Sequence, residues 1–299
     1  MVKTRLDQIA RELDTFFRID EFQPDSPFTR LVPRIYESTG IQLERYVQKS
    51  FLETFHGLMI RNGQTVDKIY CTVFLSEEIL DKVFAQDERD VLLISHHPLA
   101  METSNRGFLP LSERYFEEMQ GRAISVYVLH TPLDVHDEIS TSRALARELG
   151  LEDPKGYYQV PGGYAGLYGR LPAPMEFDAL LSRIGEVTGV GDLHFIRNHH
   201  VVHTLAIIPG GTDVVGIREA SALPCDAFLT GTYYNLVQNE VGRRYREEFD
   251  GMRDSLEISL IEGSHYASEA VVMREEMVDL CVNRFGIDCE FIPQDDPWY

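Results

Sequence analysis

The chain has 299 residues, 43% of them hydrophobic and 25% charged, which is enough for one large core or for two lobes of about 150 residues each. Its formal net charge of −20 at pH 7 repels phosphate backbones and argues against nucleic-acid binding as a main role. Cys71, Cys225, Cys281 and Cys289 show no C-x-x-C spacing and three of them sit in apolar runs, the "VKTRLDQ" start has no apolar signal region, and no stretch approaches about 18 uncharged apolar residues; a reduced, cytoplasmic protein with no membrane span is expected.

In chain order, "TRLDQIARELDTFF" (4–17) spaces Leu6, Ile9, Leu13 and Phe16 or Phe17 at helical intervals. The stretch 23–50 is polar, contains Pro24, Pro27 and Pro33, and reads as an insertion or arm. "DKIYCTVFLS" (67–76) is a strand ending at Ser76, an N-cap for a helix carrying Ile79, Leu80, Val83 and Phe84. "DVLLIS" is a short apolar run of the kind a parallel strand buried on both faces requires, and "LLISHHPLA" runs it into His96, His97 and Pro98, which cannot continue a regular element. "RAISVYVL" (122–129) is another such strand, and "SRALARELG" is a helix closed by Gly150. A Gly-rich joint, "PGGYAGLYGRLPAP", leads into a second half with strands expected at 203–208, 226–229 and 256–263. After them, "HYASEAVVMREEMVDLCVNRFG" reads as one long helix ending at Gly286. Strands alternating with helices imply an α/β fold of mostly parallel sheets flanked by helices.

Ligands of such sheets collect outside the carboxyl ends of the strands. Three strand ends carry metal-ligand chemistry: His96 and His97; "LHTPLD" with His130 and Asp134; and "EGSHYASE" with His265 and Glu269 one helical turn apart on one face. Imidazole mixed with carboxylate suits Zn²⁺, Mn²⁺ or Fe²⁺, and six candidate ligands exceed what one tetrahedral ion needs, so two ions per subunit are expected. Taken singly, a His-His pair, a turn Asp and a first-turn Glu are ordinary structural residues. The recurrence at three strand ends is what favours metal. "RNHHVVHT", with His199, His200 and His203, precedes a strand and is read as structural, and His56, His136 and His194 carry no partner pattern.

"ISHHPL", "HTPLD" and "GSHYASE", in this order and at these separations, resemble the NIF-three-like dinuclear-metal family, often labelled GTP cyclohydrolase I type 2 homologues. The likeness extends through "HGLMIRNGQTVDKIYCTVFLSEEIL", "YGRLPAPMEF", "LAIIPGGT" and "DAFLTGT" and covers most of residues 51–285. It implies one domain of two lobes over 1–299, atypical at 23–50, with the metal pair in the cleft between lobes at strand C-terminal ends and assembly into a homohexamer. His96 and His97 would each serve one metal, Asp134 the metal of His97, His265 that of His96, and Glu269 would bridge. His130 would stand behind the ligands or transfer protons. Three departures bear on substrate choice: Thr232 in "TGTYYNLV" where an acidic residue is usual, Ser264 in place of a glycine, and "PGGT" in place of a Cys-Gly-Gly run.

Two functions follow from this. One is a metal-dependent hydrolase acting on a small nucleotide-like substrate. The other is a non-catalytic metal carrier, chaperone or interaction scaffold. The sequence has no P-loop and no G-x-G-x-x-G after a strand, and "IPGGTD" reads as a plain turn before it reads as a phosphate cradle.

Overall fold

The computed structural model describes residues 4–234 and 238–299. They form two compact units, the first from Met1–Met101, Phe108–His136 and Met273–Asp295, the second from Glu102–Gly107, Asp137–Val272 and Asp296–Tyr299.

The first unit is built on a five-stranded sheet in the order Cys289–Phe291, Lys68–Phe74, Val91–His97, Ser125–Val128, Gly57–Ile60. The first three pairings are parallel and the last is antiparallel. Lys68–Phe74 and Val91–His97 are buried at all seven positions, as strands with both faces covered must be. The expected helices form at Leu6–Phe16, which buries Leu6, Ile9, Ala10 and Leu13, and at Glu77–Ala85, where Ser76 Oγ accepts the Ile79 N–H at 3.1 Å.

The stretch 23–50 is not an arm. Ser26–Glu37 is a helix whose Phe28, Val32 and Tyr36 recur every four residues and enter the same core as Leu43, Val47 and Phe51. Pro27 occupies its first turn, where a missing N–H costs nothing, and Asp25 caps it. Three prolines in a polar stretch concealed that stripe.

The second unit carries a six-stranded sheet in the order His194–Ile196, Ser259–Glu262, Ala227–Thr232, Val201–Gly211, Gly163–Glu176, Glu152–Val160. Its inner pairings, Ser259–Glu262 with Ala227–Thr232 and Ala227–Thr232 with Val201–Gly211, are parallel, and the outer ones are antiparallel. The Gly-rich stretch expected to be a joint is the 14-residue strand Gly163–Glu176, hairpinned to Glu152–Val160. Its glycines admit aromatic rings across the pair: a Cβ on Gly156 would lie 2.5 Å from the Tyr164 ring and one on Gly166 2.7 Å from that of Tyr157. The helix Thr141–Glu148 ends as expected, with Gly150 at φ +74°. The last helical stretch is helical at His265–Val271, passes through a π-helical turn at Val272–Met277 and resumes at Val278–Phe285, with Gly286 in the left-handed conformation just past its end. Among the described residues no helix is long and apolar enough to cross a membrane.

Candidate metal centre

In the first unit, parallel pairing delivers two strand ends side by side. His96 and His97 are the last residues of Val91–His97, so the strand holds both histidines before Pro98 ends it. Leu129 follows the neighbouring strand and donates its N–H to the Ser95 carbonyl at 3.0 Å, and the Leu129 carbonyl in turn lies 2.6 Å from His96 Nδ1. A carbonyl only accepts, so Nδ1 must carry a proton, and in the neutral ring Nε2 is the nitrogen that can bind a metal. His96 Nε2 lies 3.5 Å from Asp134 Oδ1, at the end of the short helix Thr131–Asp134. The resemblance instead pairs Asp134 with the metal of His97.

The His97 ring packs on Phe74 at 4.7 Å and, edge-on, on Phe28 at 5.9 Å between centroids. Its centroid is 4.5 Å from that of His96 and 4.7 Å from that of His130. A ring nitrogen from each of the three histidines falls within 4.8 Å of the others, so His130 stands as close to the pair as a ligand would.

His130 Nδ1 donates to Asp25 Oδ2 at 2.7 Å, and Thr131 Oγ1 donates to the same oxygen at 3.1 Å. The other oxygen, Oδ1, accepts the Phe28 N–H at 3.3 Å and caps Ser26–Glu37. Burial alone would raise the Asp25 pKa, but the hydrogen bond and charge of His130, with the Phe28 N–H, bring it down to about 2. Burial likewise opposes charge on His130. The hydrogen bond and charge of Asp25 and the charge of Asp134 outweigh it, and the imidazole pKa is raised.

In the second unit, His265 and Glu269 begin the helix after Ser259–Glu262. Ser264 Oγ accepts the Ala267 N–H at 3.1 Å as N-cap and donates to Asp296. The Ser264 backbone sits at φ +68°, a conformation glycine adopts easily and serine does not, which accounts for the glycine of the family pattern. His265 Nε2 is 3.2 Å from Glu269 Oε1, and the imidazole stacks on Trp298 at 5.0 Å and 18°.

Glycine backbone approaches this pair closely. A Cβ on Gly210, itself at φ +68°, would lie 2.2 Å from Glu269 Oε1, and one on Gly231 would lie 2.7 Å from His265 Cα. The Gly210 N–H donates to Ser268 Oγ at 2.9 Å. "IPGGT" and "TGT" therefore serve close approach to His265 and Glu269. Thr232 is buried beside Gly211, and Asn235–Val237 of "TGTYYNLV" lie outside the described residues.

The decoy histidines lie at the other edge of this sheet: the His199 N–H donates to Ser259 Oγ at 2.8 Å, at the start of the strand whose far end leads to His265. Sequence reasoning missed Asp25, Gly210, Gly231 and Trp298. Of these, only the "PGG" and "TG" steps carried a local signal.

An imidazole held by Nδ1 with Nε2 next to a carboxylate is a donor set that fits borderline divalent cations. In sequence, the "GTP cyclohydrolase 1 type 2 homolog" of Deinococcus radiodurans is 26% identical over 246 residues, covering 80% of this chain and 84% of that protein. The "GTP cyclohydrolase 1 type 2" of Helicobacter pylori is 29% identical over 222 residues, 71% and 77% of the two chains. In structure, TTHA1606 from Thermus thermophilus matches with a TM-score of 0.65 at 22% identity over 98% of this chain and 99% of that one. Reduced HcgD from Methanocaldococcus jannaschii matches with a TM-score of 0.64 at 16% identity over 98% and 100%. Residues 42–297 match the Duf34/NIF3 (NGG1p interacting factor 3) family, and the chain belongs to it.

Proposed function

We propose that this protein binds two divalent metal ions per chain through two ligand sets, His96, His97 and Asp134 in the first unit and His265 and Glu269 in the second, and uses them to hydrolyse a small nucleotide-like substrate. The observation that carries this reading is the His96 ring, whose Nδ1 is committed to the Leu129 carbonyl while Nε2 faces Asp134. That arrangement fixes the tautomer a metal ligand requires. The relatives named for GTP cyclohydrolase supply the substrate class.

When bound, such ions acidify a water molecule and stabilise a developing anion. The chain's own residues do the rest. Asp25 holds the His130 ring by Nδ1 and favours its charged form, leaving the opposite ring nitrogen to deliver a proton to a leaving group. Phe28 and Phe74 pack against the His97 ring, which is buried.

The test is metal analysis followed by a nucleotide-panel assay on Mn²⁺-, Zn²⁺- and Fe²⁺-loaded protein. About two ions per chain and a turnover that Glu269→Gln abolishes while the metal stays are expected. A stoichiometry fixed at one under saturating metal overturns the dinuclear reading. Two ions without turnover across the panel leave the carrier or scaffold reading in its place.

A further inference from the structure

Away from these ligands, the first unit gathers three of the four cysteines. Cys71 lies on Lys68–Phe74, Cys289 opens the edge strand Cys289–Phe291, and Cys281 lies on the helix Val278–Phe285. Parallel pairing sets Cys289 opposite Ile69 and Phe291 opposite Cys71. Residues two apart share a face, so Cys71 and Cys289 are diagonal neighbours on one side of the sheet. Their sulfurs are 3.7 Å apart, and all three sulfurs fall within 4.8 Å of one another. All three residues are buried, Cys289 the least, at 5% exposure, and it lies at the sheet edge, where an ion would enter.

Sulfurs bound to one metal at about 2.3 Å lie about 3.8 Å apart in a tetrahedral arrangement and about 4.0 Å apart in a trigonal one. The Cys71–Cys289 separation is already that of two ligands on one ion, and a contracted disulfide would need a shorter one. A core that merely used cysteine as a small apolar filler has no need to bring three elements together through sulfur. We propose that Cys71, Cys281 and Cys289 form a second metal site, for a single thiophilic d¹⁰ cation, Zn²⁺ or Cu⁺, held by three sulfurs.

The surroundings bear unequally on the three sulfurs. Lys68 is bound by Asp288 and Glu290, the residues on either side of Cys289. Hydrogen bonds from Cys281 and Cys71, and then the Lys68 ammonium, hold the Cys289 thiol below its usual range, while Cys71, hydrogen-bonded to both other thiols and buried, is raised. An ion binding there would itself release the thiol protons.

Cd²⁺ added to reduced, chelator-stripped full-length protein tests this, because thiolate coordination gives a near-ultraviolet charge-transfer absorption that imidazole and carboxylate do not. One equivalent is expected to saturate the band. Cys281→Ser and Cys289→Ser should each weaken Cd²⁺ binding at least tenfold by this readout, while Cys225→Ser, in a different part of the chain, and Glu269→Gln, in the proposed hydrolytic ligand set, should leave it unchanged. Anaerobic competition then assigns the ion: loss of the band with equimolar Zn²⁺ points to zinc, and loss with Cu⁺ alone points to copper. Absence of the band in the wild-type protein at saturating Cd²⁺, its survival in Cys281→Ser, or displacement by neither ion would overturn the proposal. The wild-type titration decides even where a variant does not fold.

Discussion

Glu269 Oε1 stands 3.2 Å from His265 Nε2, and the backbone of Gly210 comes so close to the same oxygen that a Cβ there would lie 2.2 Å from it. The carboxylate's position therefore depends on a residue 59 places earlier in the chain having no Cβ. Gly210→Ala would place a methyl group 2.2 Å from Glu269 Oε1 at φ +68°. We expect a loss of about 2 kcal/mol of stability and a displaced carboxylate with weakened metal retention. Urea unfolding and metal analysis of the same preparation read both effects, and a variant with unchanged metal content would separate Glu269 from metal binding.

Metal content should also distinguish ligands from decoys. Glu269→Ala and His265→Ala are expected to lose metal, Glu269→Ala the more, because the carboxylate brings a negative charge to a cation that the neutral imidazole does not. The His199→Ala/His200→Ala double variant should keep it, since His199 sits at the opening edge of the Ser259–Glu262 strand. Metal loss in the double variant with both ions retained in Glu269→Ala would place the site at the wrong edge of the sheet.

Ser264 combines a strained backbone with two useful hydrogen bonds. Ser264→Ala keeps the strain and loses the cap and the bond to Asp296, a cost of about 2 kcal/mol. Ser264→Gly also loses the bonds but relaxes φ, and should cost less than the alanine variant. Equal midpoints in denaturant for the two variants would show that the strain carries no weight.

The Asp25–His130 pair gives a pH dependence whose sign follows from the two shifts. The Asp25 pKa is depressed to about 2, so its contribution is present above the unfolded value near 4, on the order of 2 kcal/mol, and is lost as pH falls toward about 2. The His130 pKa is raised, so its side of the same contribution is complete below about 6.5 and is lost as pH rises through the higher folded value. Asp25→Asn keeps a capping side chain and removes the ion pair. The stability difference between wild type and Asp25→Asn in chelated protein should peak between about pH 4 and 6.5. A difference independent of pH from 3 to 9 would leave the cap as the whole contribution.

Assembly is a further expectation of the family resemblance. Light scattering at micromolar concentration should give a homo-oligomer, a hexamer by the family pattern. A species at the 34.2 kDa of one chain would rule this out.

The sequence made most of the sheet strands and the histidine-bearing strand ends legible because their signals are local. Short apolar runs such as "VLLIS", rich in branched residues, read as buried strands, Ser76 and Gly150 punctuate helices by backbone chemistry, and His265 and Glu269 share a face by helical period alone. The signal failed where the partner was distant in sequence. Phe28, Val32 and Tyr36 looked like strays in a proline-rich arm because the core they enter includes Leu111 and Phe116. Gly156 and Gly166 looked like a flexible joint because the rings that need their missing side chains, Tyr164 and Tyr157, lie across a hairpin. Asp25 is 105 residues from His130, and no spacing rule links them.

Asp25 divides its carboxylate, giving one oxygen to the first turn of the Ser26–Glu37 helix and the other to an imidazole. Whatever draws His130 away, whether a bound ion, a substrate or a lost proton, alters the carboxylate that closes the helix. The amide of Phe28 thereby becomes a reporter of events it does not take part in. Its hydrogen-exchange rate should respond when the histidine cluster is occupied, giving an assay of occupancy that needs neither a known substrate nor a known metal.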